Sequence, residues 1–214
     1  TPGTITSSQV LDETKNNYLM GIVYMDGIYG ISTADISTGD FMVTEVDSDR
    51  ELFDEINKFS PSEIICNNAF YMSGVDMDGL KNRYQVVISS LDSRFFGEES
   101  CRRILMEHFK VGALVGLGLE DYATGIIAAG AVMQYIYETQ KSTLEHITTV
   151  TPYSTGQYMV IDTSTRRNLE LVETMREKQK RGTLLWVLDK TKTAMGARLL
   201  RACIEQPLIH RDEI

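Results

Sequence analysis

Tyr18-Leu19-Met20-Gly21-Ile22-Val23-Tyr24-Met25 is an eight-residue apolar run, and Asp26-Gly27 follows it at once. An Asp-Gly pair tolerates the positive φ angles that a two-residue type I′ hairpin turn demands. Residues 28–36 then read as the returning strand, Ser37-Thr38-Gly39-Asp40 as the next turn and residues 41–46 as a third strand. Three strands joined by tight turns predict an antiparallel meander. Working outward, Ser48 with Glu51 three residues on fits a capping box. Leu52, Phe53, Ile56 and Phe59 behind it share one helical face. Ser60-Pro61 stops that helix, because a residue before proline avoids the helical region. Glu63–Cys66 reads as a short buried strand and residues 84–88 as a weaker one. A helix between them makes the strand after Pro61 parallel to an earlier strand through a right-handed crossover.

From Gly97 the chain turns helical. Glu98 and Glu99 suit the positive end of a helix dipole, and Ile104, Leu105, His108 and Phe109 form an apolar face. On that face His108 reads as a core or boundary residue, not a ligand. A glycine-rich break spans 111–118. Residues 119–139 predict one long helix, whose Ala123, Gly125, Ala128, Ala129, Gly130 and Ala131 permit close packing against a sheet or another helix. Residues 148–161, with Pro152 and Gly156, read as a linker or extended stretch. After it the pattern is all helical. Asp162 or Ser164 can cap a helix bearing Leu169, Val172 and Met175, ending in Lys178, Lys180 and Arg181. Gly182-Thr183 opens a second helix through Leu184, Leu185 and Leu188. Thr193 caps a third, with Met195, Leu199, Leu200 and Cys203 facing inward and Pro207 closing it. Met133, Met175 and Met195 read as gap-filling core residues. These helices are too few and too short to bury their apolar stripes alone, and they look like the start of a larger helical domain.

The 214 residues are 43% hydrophobic and 24% charged, which excludes collagen, disordered and disulfide-scaffold classes. Residues 1–150 carry 10 basic and 22 acidic residues, net −12; residues 151–214 carry 11 and 8, net +3; together they give the net charge of −9. The acidic first part is a poor stand-alone binder of nucleic acid, since phosphates are repelled. Cys66, Cys101 and Cys203 form no C-x-x-C, so free thiols in a reducing, cytoplasmic setting are expected. His108, His146 and His210 lack metal-ligand spacing. The longest apolar runs are about half the ~20 residues that span a bilayer, so no membrane association is expected. The chain opens Thr1-Pro2-Gly3-Thr4 without methionine and ends just after a helical pattern, and we expect a piece of a longer protein.

Little in the chain points to catalysis. No G-x-x-x-x-G-K-[ST] phosphate loop occurs, and the segment from Gly112 to Gly118 matches a nucleotide loop only in glycine content. The meander followed by strands alternating with helices outlines a ribonuclease H-like α/β fold, a mixed sheet flanked by helices, with an all-α segment after it. Active enzymes of that fold hold two metal ions on carboxylates, one of them in the middle of the first strand. Residues 18–25 contain no carboxylate, and Asp26 and Asp35 read as turn and strand-end residues. A catalytically silent fold is expected, with no catalytic, cofactor-binding or metal-binding residue. An active metal-dependent nuclease is the alternative that the missing carboxylate disfavours.

The second half carries a resemblance. The run Ile161-Asp162-Thr163-Ser164-Thr165-Arg166-Arg167-Asn168-Leu169-Glu170-Leu171 resembles the first core helix of the MutS family of DNA mismatch-repair proteins. The match continues through Gly182-Thr183-Leu184-Leu185-Trp186-Val187-Leu188-Asp189 and Thr193-Ala194-Met195-Gly196-Ala197-Arg198-Leu199-Leu200, and closes with Glu205-Gln206-Pro207-Leu208. In the first half, Thr1-Pro2-Gly3-Thr4, Asp35-Ile36-Ser37-Thr38-Gly39 and Ala128-Ala129-Gly130 are similar to family segments; the likeness is weakest over residues 67–94. The resemblance implies a connector domain over 1–145 and the incomplete start of a core or lever domain over 146–214. It implies an ATPase loop and a mismatch-reading Phe-x-Glu motif outside this stretch. It also implies transmission of signals between those parts and docking of MutL on the connector. In the whole protein it implies mismatched DNA, ATP with Mg²⁺ and a second subunit. A paralogue acting in recombination shares the same domains. Arg166, Arg167 and Asn168 are the candidates for a polar junction between the two parts.

Overall fold

The computed structural model describes residues 17–139, 144–156, 158, 159, 161, 163–209 and 211. Thr1-Pro2-Gly3-Thr4 and Asp162, singled out above, lie outside the described residues. Strands β1 (Tyr18–Met25), β2 (Ile28–Asp35) and β3 (Asp40–Val46) form the antiparallel meander. Asp26 and Gly27 both take positive φ, 51° and 84°, as a type I′ turn requires. Asp35 closes the next turn: its carboxylate accepts from the Ser37 amide at 2.8 Å and the Ser37 hydroxyl at 2.6 Å. Helix α1 (Asp49–Phe59) starts at Ser48, whose hydroxyl accepts from the Glu51 amide, and ends at Ser60 in a left-handed conformation before Pro61. Short helix α2 (Asn68–Tyr71) follows β4 (Glu63–Cys66), and α3 (Met77–Tyr84) precedes β5 (Val87–Ser90). Tyr84 therefore closes a helix instead of opening a strand; Gln85, at φ 52°, turns the chain before β5.

The sheet order is β5-β4-β1-β2-β3-β6, with β4 parallel to β1 and β5 parallel to β4. A central strand covered on both faces reads as a continuous apolar run, because each face is buried by a different layer. In β1, Met20 and Ile22 join the core under α1, α2 and α3. Leu19 and Val23 point to the other face, packed by α4 (Glu98–Phe109) and α5 (Ala123–Thr139).

Three glycines let α5 seat itself. A Cβ on Gly30 of β2 would lie 2.4 Å from the carbonyl of Thr124, and one on Gly21 of β1 would lie 2.4 Å from Val132. A Cβ on Gly130 would lie 2.3 Å from Cys101 of α4. Helix α5 begins at Ala123, not at 119. Gly118, in a left-handed conformation, ends a 3₁₀ turn over Leu114–Leu117, and the carboxylate of Glu45 on β3 accepts from the Thr124 and Gly125 amides at 2.6 and 2.8 Å. That anion at the positive end of the helix fixes its start.

The extended stretch after 148 returns to the sheet. Thr151–Pro152 forms β6, parallel to β3 at the sheet edge, where a residue without an amide proton is tolerated. The helical segment departs most from its sequence pattern. Helix α6 (Thr163–Asn168) stops after two turns, and Glu170 at φ 47° and Lys178 at φ 52° interrupt any continuation. The chain hooks back so that the Leu185 amide donates to the Leu171 carbonyl at 2.9 Å, and Leu171 and Val172 pack on Leu185. Helices α7 (Leu184–Leu188) and α8 (Ala194–Glu205) follow, capped by Thr183 and Thr193. Leu200 packs against this small cluster, but Met195, Leu199 and Cys203 are exposed, and so is Met175. Of the three methionines read as core fillers, only Met133 is buried. The reason is a missing partner: nothing in the described chain covers that face of α8.

Candidate functional site at the seam between sheet and helices

Helix α1 is amphipathic, and with Leu52, Ile56 and Phe59 turned into the core its other positions face the returning chain. Glu55, Asn57 and Lys58 fall there, and all three are largely buried. The phenol of Tyr153 donates to Glu55 Oε2 at 2.6 Å, and Lys58 Nζ lies 3.3 Å from the same oxygen. Lys58 also sits 4.1 Å above the Tyr153 ring and 4.7 Å above that of Tyr158, so its cation meets aromatic faces where water is excluded. Burial draws the Lys58 ammonium below its ordinary pKa, with the Glu55 charge opposing. Burial and the Glu55 charge together push the Tyr153 phenol well up.

Two direct bonds tie α1 to the helical segment. Asn57 Nδ2 donates to the Ile161 carbonyl at 3.1 Å, and Gln206 Nε2, just past α8, donates to the Lys58 carbonyl at 3.2 Å. The latter satisfies a carbonyl in the last turn of α1, where helix carbonyls lack internal partners. Glu205 on α8 lies 3.5 Å from Arg201 and 3.9 Å from Arg166. The Nε of Arg166 is buried without a hydrogen-bond acceptor, a deficit that costs about 1–3 kcal/mol.

Two cavities flank this ion cluster and share Lys58, Arg166, Glu205 and Gln206 as walls. One, of about 360 Å³, adds Arg167, Lys178, Arg198 and Arg201. The other, of about 440 Å³, adds Asp47, Glu51, Asp54 and Glu55, with Arg50 as its further cation. The seam is thus basic on one side and acidic on the other. Of the sequence candidates, Arg166 lines both cavities, Arg167 lines the basic one, and Asn168 is solvent-exposed at the end of α6.

Sequence reasoning missed Glu55, Lys58 and Tyr153. The Glu55–Lys58 spacing of three on a helix was a usable signal for a pair; the approach of Tyr153 from 98 residues away left none. The other singled-out groups have structural duties. His108 bridges the Tyr137 hydroxyl at 2.6 Å and the Ile147 carbonyl at 2.7 Å. Asp26 and Asp35 shape turns. Glu63, buried in β4, accepts from the Tyr135 hydroxyl at 2.7 Å. Among the described residues no three His, Cys, Asp or Glu side chains converge as a metal site would need.

Comparison with known proteins places both halves. The family model for MutS domain II matches residues 17–148, and that for MutS domain III matches residues 164–214. A protein named DNA mismatch repair protein MutS from Lachnoclostridium phytofermentans is 60% identical over 214 residues, all of this chain and 23% of the relative. Proteins of the same name from Acetivibrio thermocellus and Ruminiclostridium cellulolyticum are 46% and 44% identical, again over the whole chain and over 25% and 24% of their own lengths. The chain therefore spans about a quarter of the curated relatives it matches. With the sheet order of a ribonuclease H-like block leading into a helical segment, and with a domain model matching each, the chain belongs to the MutS family and comprises its connector and lever-like domains.

Proposed function

We propose that this chain is the non-catalytic relay of a mismatch-repair protein, with residues 1–145 acting as the connector and residues 146–214 as the beginning of the lever. Mismatched-DNA binding, ATP hydrolysis and pairing with a second subunit then belong to other parts of a longer cytoplasmic protein, and the connector docks MutL. The names of the relatives and the quarter-length match support this reading. One observation carries it: the end of α1 is bonded to Ile161 and Gln206 across 104 and 148 residues of sequence, so movement of either part reaches the other through short polar links. Packed elements joined in this way move as bodies instead of deforming continuously.

Among the described residues the glycine-rich segment does not fit the phosphates of ATP with Mg²⁺. The glycine-rich segment is a largely exposed 3₁₀ turn closed by a left-handed Gly118, without the strand-to-helix geometry that cradles phosphates. Among the described residues no helix is long and apolar enough to cross a membrane.

The test uses the full-length protein. Asn57→Ala combined with Gln206→Ala is expected to leave ATP turnover and mismatch binding individually within about twofold, while weakening the effect of ATP on mismatch release at least about fivefold. Unchanged ATP-driven release in the double variant would contradict the relay.

A further inference from the structure

We propose that Lys58 is a releasable latch of the seam, a cation shared between one aromatic ring of the sheet block and one of the helical segment. Its ammonium lies 4.1 Å from the ring centroid of Tyr153 and 4.7 Å from that of Tyr158. The two rings are anchored in different parts of the molecule. Tyr153 is built into the block: its amide donates to the Val43 carbonyl of β3 at 3.0 Å, and its carbonyl accepts from the Thr44 hydroxyl at 2.7 Å. Tyr158 is held from the other side. It forms an antiparallel bridge with Leu208, and the next amide, that of Met159, donates to the Pro207 carbonyl at 2.8 Å. Between the rings lies Gly156, at φ 106°, where a Cβ would meet nothing within 4 Å.

The charges are divided unequally across the seam, and that division makes the latch releasable. On the block side, Glu55 Oε2 lies 3.3 Å from Lys58 Nζ and also accepts from the Tyr153 phenol. The helical side gives Lys58 nothing charged. It supplies the face of Tyr158 and the side-chain amide of Gln206, which donates to the Lys58 carbonyl. Breaking a buried ion pair is costly because it strands an uncompensated charge. Lifting Tyr158 away from Lys58 breaks no ion pair: the lysine keeps Glu55 and the Tyr153 ring. What is lost is a cation–aromatic contact and a neutral hydrogen bond, both modest and both regained on closing. A salt bridge placed across the seam would instead strand a charge on each side whenever the two parts separated. Elements joined by the uncharged arrangement can close and open as bodies. The latch is a property of the seam itself, so it stands or falls separately from the relay reading.

The test is amide hydrogen exchange on the 214-residue chain, read at Met159, with β1 and β2 as the internal reference. Lys58→Met and Tyr158→Leu should each speed exchange at Met159 at least about fivefold, with β1 and β2 changed less than about twofold. Lys58→Arg and Tyr158→Phe, which keep the cation and the ring face, should stay within about twofold of the unsubstituted chain. A lysine that merely filled space would be replaced by methionine without effect. Combining Lys58→Met with Tyr158→Leu should add less than about twofold to either alone, because both remove the same contact. Should Lys58→Met also loosen β1 and β2, because Glu55 is then buried without its cation, Tyr158→Leu decides, since it removes no charge. Unchanged exchange at Met159 in Tyr158→Leu overturns the latch. So does exchange as fast in Lys58→Arg as in Lys58→Met.

Discussion

Leu105 and Leu199 lie in the middle turns of two amphipathic twelve-residue helices, α4 and α8, yet Leu105 is fully buried and Leu199 is 67% exposed. Both helices close with a backbone amide donating to a carbonyl four residues back, and α8 has the better start, a Thr193 hydroxyl cap that α4 lacks. Local signals thus suffice to form a helix in either place. What differs is the surface offered to it. Helix α4 meets α5 and the sheet across one extended core, whereas among the described residues the apolar side chains of α8 join only a small cluster around Leu171, Val172 and Leu185. Helical stability in proteins comes mainly from packing an apolar face. The α/β block is therefore self-sufficient, and the helical segment awaits a partner surface.

The largest expected effect follows directly. Leu105→Ala should cost about 2–5 kcal/mol in urea unfolding, the range for a buried leucine that leaves a cavity. Leu199→Ala should stay within about 0.5 kcal/mol, as surface changes do. Equal costs would remove the contrast between the two helices.

Glycine substitutions sharpen it further. Gly30→Ala sets a methyl group against the backbone of Thr124, which cannot give way as a side chain can, and should cost about 3 kcal/mol. Gly196→Ala in α8 meets only the side chains of Thr193 and Thr191, and helix propensity offsets that crowding. Its effect should remain below about 1 kcal/mol in either direction.

Smaller effects come from titration. Burial pushes the thiols of Cys66 and Cys101 up to about 12 from an ordinary value of 9. Between those limits the unfolded chain gives up protons that the folded block keeps. Their contribution to stability is therefore full below pH 9 and is lost as pH rises through the window. The raised phenols of Tyr29 and Tyr153 act in the same direction. Lys58, drawn down by burial, acts oppositely and favours the folded state as pH approaches 10.5. Titration with a thiol reagent at neutral pH should consume the exposed Cys203 at once, and the other two only as fast as the block opens. Three equally fast thiols would mean that the block is loose.

The difference between the regions also explains what was legible in the sequence. The meander was readable because turn chemistry is local: Asp26-Gly27 and Gly39 announce their own backbone angles. Helix α1 was readable from its Ser48 cap and apolar spacing. The small residues of α5 announced close packing, and Gly30, Gly125 and Gly130 deliver it. Its start was misplaced because the anion that fixes it, Glu45, arrives from another strand. After residue 162 the periodic pattern suggests a helix that runs past Met175 and ends in Lys178, Lys180 and Arg181, but a stripe with no surface to cover gives no reason to continue, and Glu170 turns the chain back. At the seam, Arg166 and Arg167 stood out as a cationic pair, while Lys58 and Tyr153 reach one another only through the fold.

Amide hydrogen exchange on the 214-residue chain tests the contrast most directly. Amides of β1, β2 and α5 should exchange only through global unfolding, and those of α7 and α8 at least about a hundredfold faster through local opening. Equal protection in both regions would contradict the account, because the helical segment would then be stable without a covering partner.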